Sequence, residues 1–115
     1  MIKNINVSLY KNNRREMNYN NIKAIHRDNS YSFIMDEIKM FINNDLLTRE
    51  NNEFKFRLDI ANKTASYLLK EKNMLFDIEV EKVIITNEDN KIILEYKISS
   101  DEEEFKIIIE ENKNE

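Results

Sequence analysis

The sequence predicts an all-β protein: a single antiparallel, mostly up-and-down barrel of about eight to ten short strands. Three observations predict it. Apolar residues recur at every second position in one segment after another, the pattern of a strand with one buried and one solvated face. Polar clusters rich in Asn, Asp and Ser separate those segments at spacings of roughly ten residues. The chain of 115 residues is long enough for one core and too short for two.

Taken in order, Ile5, Val7 and Leu9 alternate with Asn6 and Ser8, and Lys11-Asn12-Asn13-Arg14-Arg15 makes a loop before a second extended segment from Met17 to His26. The stretch from Tyr31 to Asn44 admits two readings. Ile34, Ile38, Phe41 and Ile42 fall on one face of a helix behind a Ser30 cap. Alternatively, Tyr31, Phe33 and Met35 alternate, the pattern breaks at Asp36-Glu37, and Ile38, Met40 and Ile42 alternate again. The two-strand reading keeps the sheet undivided and is preferred.

Arg49-Glu50-Asn51-Asn52 is turn-like, and after it Phe54, Phe56, Leu58 and Ile60 alternate with Lys55, Arg57 and Asp59. Between Ala61 and Asn73, Thr64 would cap a helix and Leu68-Leu69 would pack beneath one, but Ala65, Tyr67 and Leu69 also alternate. A short extended segment is preferred. The firmest pattern lies at the C-terminal end, where Phe76, Ile78 and Val80, then Ile92, Leu94, Tyr96 and Ile98, then Phe105, Ile107 and Ile109 form three rows. Thr86–Asn90 and Ser99–Glu103 separate those rows as hairpin connections. The first row changes phase near Lys82, after which Val83 and Ile85 hold the alternate positions, as a bulge in a curved sheet produces. One domain is therefore expected over residues 1–111, with a short disordered tail at 112–115.

Glycine, proline and cysteine are all absent. Without glycine, the left-handed turn positions of a β-protein fall to Asn and Asp, which tolerate that region best among the other residues. Without cysteine, disulfides, thiolate metal sites and cysteine nucleophiles are excluded. No apolar run exceeds three residues, as in Val83-Ile84-Ile85 and Ile107-Ile108-Ile109, so neither an export signal nor a membrane helix is expected, and the expected location is cytoplasmic.

Residues 1–57 hold ten Lys/Arg against seven Asp/Glu, and residues 58–115 hold eight against fifteen, so the halves carry about +3 and −7. A total of −4 does not suit nucleic acid or an anionic membrane surface, both of which reward clustered cations. Should the first and last strands pair, Lys3, Lys11, Arg14 and Arg15 would face the acidic Asp101–Glu104 tip.

Candidate chemistry is sparse. His26, the single histidine, has no nucleophile partner and cannot make a metal site alone. Asp101-Glu102-Glu103-Glu104 lacks the glycine turn and spaced ligands of a calcium loop. No catalytic residue, metal or cofactor is expected. Arg49 and Arg57 suit a carboxylate or phosphate clamp, although Arg57 lies opposite the apolar row of its strand and should point to solvent. The aromatic set Tyr31, Phe33, Phe54, Phe56, Tyr67, Phe76, Tyr96 and Phe105 either fills the barrel or lines a cavity within it.

Tyr31-Ser32-Phe33-Ile34-Met35-Asp36-Glu37, the run Ile38–Ile42, Arg49 before a turn, the Phe54/Phe56 strand, Tyr67, the strand Phe76–Val80 and the final hairpin ending Phe105–Ile109 follow an order that resembles the YwiB-like family. These are small uncharacterised bacterial proteins with a lipocalin-like (calycin) barrel. The resemblance covers roughly residues 29–111 and implies that fold, with no established activity. Where the family places a proline- and glycine-containing turn after its tyrosine, this chain has Leu68–Asn73, with Asn73 in position to take the glycine's role.

The functional expectation is a non-enzymatic module that binds a small apolar or amphipathic ligand in the barrel mouth, with Tyr31, Phe33, Arg49, Phe56, Tyr67 and Tyr96 as ligand-binding candidates. The alternative is a protein-interaction or homo-oligomeric module. It would use a strand edge or an apolar outer face, for which Val83, Ile93 and Ile108 are candidates.

Overall fold

The structure, a computed structural model, describes residues 1–100 and 102–112. Ten strands follow one another: β1 (Ile2–Lys11), β2 (Arg14–Arg27), β3 (Ser30–Met35), β4 (Ile38–Ile42), β5 (Leu46–Glu50), β6 (Phe54–Asp59), β7 (Thr64–Leu69), β8 (Met74–Glu88), β9 (Lys91–Ile98) and β10 (Glu103–Glu111). Each pairs antiparallel with the next, and β10 returns to β1 with Val7 opposite Ile109, which closes the barrel. Closure pairs the first strand with the last, and it joins the cationic start of the chain to its acidic end: Lys11 Nζ lies 2.8 Å from Glu103 Oε2. Asp101, the first residue of the expected acidic tip, lies outside the described residues, as do 113–115 of the expected tail. Asn112 is tied down, its backbone N–H donating to the Asn4 carbonyl at 2.8 Å.

The preferred reading of Tyr31–Asn44 is the observed one. Phe33 and Met35 are buried while Ile34 is 61% exposed, a separation that period two produces and that a helical face using Ile34 would forbid. Asp36 and Glu37 make the turn, both left-handed at φ 51° and 65°. Asn12-Asn13 and Asp28-Asn29 make equivalent turns with both central residues at positive φ, the hairpin type whose twist matches that of the strands. Asn43 and Asn51 close other turns through their side chains, each oxygen accepting two backbone N–H groups at 2.7–3.0 Å. Asn73, at φ 49°, occupies the position expected of it. Glu37 lacks the short side chain that makes this region tolerable for Asn. Glu37→Gly is expected to raise the unfolding free energy by about 0.5–1 kcal/mol in urea titrations, with a smaller change for Asn13→Gly.

The phase change near Lys82 is a register break between Val80 and Lys82, leaving Glu81 as the extra residue. Two expectations on this strand are corrected. Phe76 begins the core row in sequence but is 45% exposed, because Met74–Glu79 pair only with β7 and β9 joins only from Val80 onward. Val83, taken for the outer face, packs against the core beside its partner Tyr96. The interior is one apolar cluster, with Ile5, Val7, Ile42, Leu47, Leu58 and Leu94 fully enclosed.

Candidate functional site

Register lines up one inward row around half the barrel. Phe33 of β3 faces Met40 of β4, Met40 faces Arg49 of β5, Arg49 faces Phe56 of β6, and Phe56 faces Tyr67 of β7. Across the lumen the Phe56 ring stacks on Tyr96 of β9 at 6.1 Å between centroids, and Tyr96 stacks on Phe105 at 5.1 Å. Five of the six candidate residues therefore lie at one level of the barrel. Tyr31 does not: its ring stacks on His26 at 4.5 Å, near the opposite end, where the β2–β3 turn lies. Its phenol is pushed up to about 12, by burial first and then by the Glu111 carboxylate.

Arg49 is the row's one charged member. Its neighbours Thr48 and Glu50 face outward, and Glu50 is drawn to Lys70 at 2.7 Å, a contact that holds its carboxyl below the usual range. The Arg49 Nε is enclosed and has no hydrogen-bond partner, and among the described residues no carboxylate lies within ion-pair distance of the guanidinium. Burial pushes the Tyr96 phenol up to about 12, against the opposing pull of the Arg49 charge. Arg57 points outward between Thr48 and Ser66, as its place opposite the apolar row requires.

The Phe56–Tyr96 contact crosses the lumen at this level, and an apolar concavity lies in the wall instead. β2 meets β3 only from Ala24 to Arg27; earlier residues of β2 pair with β1 alone. Two register shifts against β1, with Asn21 at φ 58°, curl this part of the strand away from β3. The resulting cleft has a volume of about 620 Å³. Ile22, Ile25, Ile34 and Phe41 supply apolar walls, and the core residues Phe33 and Met40 reach it from behind. Lys23 and Lys39 stand on its rim with Thr48 and Glu50. Farther along the gap the Tyr19 hydroxyl donates to the Asp36 carboxylate, linking β2 to the β3–β4 turn.

Of the six candidates, only Phe33 lines this cleft. Sequence reasoning missed Ile25 and Ile34 because each reads as the solvent-side residue of its strand. Two large isoleucines at such positions on neighbouring strands are the available signal. Ile93 and Ile108, expected on the outer face, are there and face each other across β9 and β10, half-buried.

Fold and site together define a closed ten-strand antiparallel barrel with an apolar cleft in its wall and an inward arginine whose Nε has no hydrogen-bond partner among the described residues. No family model, no curated protein and no solved structure matches the chain.

Proposed function

We propose that this protein is a non-enzymatic binding module of the YwiB-like, lipocalin-like type, and that its ligand is a small, largely apolar molecule carrying one anionic group. The observation that carries this reading is the wall cleft. Its volume of about 620 Å³ suits a small ligand, and Ile25 and Ile34 remain 52% and 61% exposed beside it. The cleft is a better seat than the barrel mouth because the Phe56–Tyr96 stack crosses the lumen. Its apolar walls are interleaved with polar residues, Asn21, Lys23, Ser32, Lys39, Thr48 and Glu50, that can orient a head group. With Glu50 engaged by Lys70, the ammonium groups of Lys23 and Lys39 favour an anionic head over a cationic one. The absence of chemistry in this reading rests on His26, which is stacked on Tyr31 at the far end from Arg49.

A medium-chain fatty acid, its alcohol and anilinonaphthalene sulfonate serve as probes. Ile34→Glu places a carboxylate in the cleft at an exposed position. It is expected to weaken fatty-acid binding at least about tenfold while changing stability by less than about 0.5 kcal/mol. The alcohol should bind more weakly than the acid. Equal binding by wild type and Ile34→Glu, or chemical-shift changes mapping away from β2–β5, contradicts the proposal.

A second reading, self-association, is favoured by Met74, Leu75 and Phe76 at the start of β8. These are 45%, 64% and 45% exposed, and their backbone pairs with β7 alone. Light scattering should then give a dimer that Leu75→Lys returns to monomer.

A further inference from the structure

The barrel wall is uneven at the end that carries the β1–β2 and β7–β8 turns. Counting on from Ala24 opposite Phe33, β3 stops at Met35, level with Ile22, so residues 14–18 of β2 run past it. They pair with β1, and among the described residues no strand lies along their other side. Residues 74–78 of β8 likewise pair with β7, and β9 joins only at Val80. Backbone groups face both open sides. The Asn4 carbonyl accepts from Asn112, on the β10 side, so by alternation Val7 faces β2, its partner Tyr19 faces back, and Asn18 turns its N–H and carbonyl outward from the pair. The Glu79 carbonyl accepts from Ser99, on the β9 side, so Leu75 and Asp77 face that open side as well.

Charge says which edges meet. Residues 14–18 carry Arg14 and Arg15 against Glu16, and residues 74–79 carry Asp77 and Glu79 with no cation. Pairing like edges would set arginines against arginines or carboxylates against carboxylates, whereas pairing unlike edges sets arginine against carboxylate. We infer that a second copy of this chain docks end to end on the first, the β2 edge of each taking the β8 edge of the other as an added antiparallel strand. Met17, Met74, Leu75 and Phe76, all exposed in the single chain, are covered by that contact. Around the wall β2 opens toward β3 and β8 toward β9, which is the same rotational sense. A two-fold axis across the barrel reverses that sense in the second copy, so both contacts form at once and the assembly closes as a dimer. Both segments run from their turns into the barrel, and antiparallel pairing therefore leaves the two bodies on opposite sides of the junction. This inference rests on the self-association reading and names the surface that receives β8; residues 14–18 and 74–78 lie outside the wall cleft.

The test applies light scattering to the full chain, to the variants Arg14→Glu/Arg15→Glu and Asp77→Arg/Glu79→Arg, and to their equimolar mixture. All four positions are exposed, so both variants should keep the wild-type circular dichroism. Wild type is expected to dimerise. Each variant alone carries like-charged edges and should need at least about tenfold more protein to do so. The mixture restores opposite charges at both contacts and should dimerise like wild type, with one copy of each variant per dimer. A wild type that stays monomeric overturns the inference together with the self-association reading. A wild-type dimer that either variant leaves unchanged, or a mixture that associates no better than the variants alone, overturns the inference and leaves self-association standing.

Discussion

Leu94→Ala is expected to lower the unfolding free energy by about 2–5 kcal/mol. Leu94 lies at the centre of β9, facing Ile85 on one side and Ile107 on the other, and is fully enclosed. Truncation removes apolar contacts and leaves a void that the barrel cannot collapse into, since β9 is held by β8 on one side and β10 on the other. Against a typical total of about 5–15 kcal/mol this is a large fraction, so the urea midpoint should fall markedly. Ile93→Ala, one residue away but on the outer face, should cost less than about 1 kcal/mol. The contrast between adjacent residues reads out the inward and outward alternation itself.

Raising the pH is expected to destabilise the protein between about pH 10 and 12, chiefly through Tyr96. Its phenol titrates near 12 in the folded barrel, because burial disfavours the phenolate, and near 10 in the unfolded chain. Above pH 10 the unfolded chain therefore holds fewer protons than the folded one, and stability falls with pH. The stability associated with the neutral phenol is fully present below pH 10 and is lost as pH rises through 12, in all about 2–3 kcal/mol for a two-unit displacement. Tyr31, also pushed up to about 12 by burial and by the Glu111 carboxylate, acts in the same direction. Alkaline unfolding followed by ultraviolet titration of the phenols should show this loss, and Tyr96→Phe should flatten it.

Much of the architecture is legible in residue order. Ile92, Leu94, Tyr96 and Ile98 alternate because one face of β9 meets the core, and Asp36-Glu37 interrupts an alternating run because a hairpin turn needs two left-handed residues there. Other features depend on what neighbouring strands do. Phe76 alternates with Ile78 and Val80 like a core residue, yet remains half-exposed because β9 ends before reaching it.

The candidate site was partly legible. Aromatic residues at strand positions marked Phe33, Phe56, Tyr67 and Tyr96, and strand register brings them together. The inward orientation of Arg49 was hidden, because β5 is short and only Leu46 and Leu47 in it are apolar. Its side is fixed by Met40 and Phe56 on either flank, which no single-strand pattern reveals. The cleft was hidden for a related reason: it arises from the absence of pairing between β3 and the first ten residues of β2, a property of two strands at once.

The core, the cleft and the inward Arg49 all require that β1 and β10 close the barrel. Nuclear Overhauser contacts between the backbones of these strands measure that closure directly. Cross-strand contacts are predicted along the run from Ile5 opposite Glu111 to Lys11 opposite Phe105, with Val7 and Ile109 at its centre. A spectrum in which β1 contacts β2 but not β10 would mean an open sheet and would contradict every inward assignment made from the closed one.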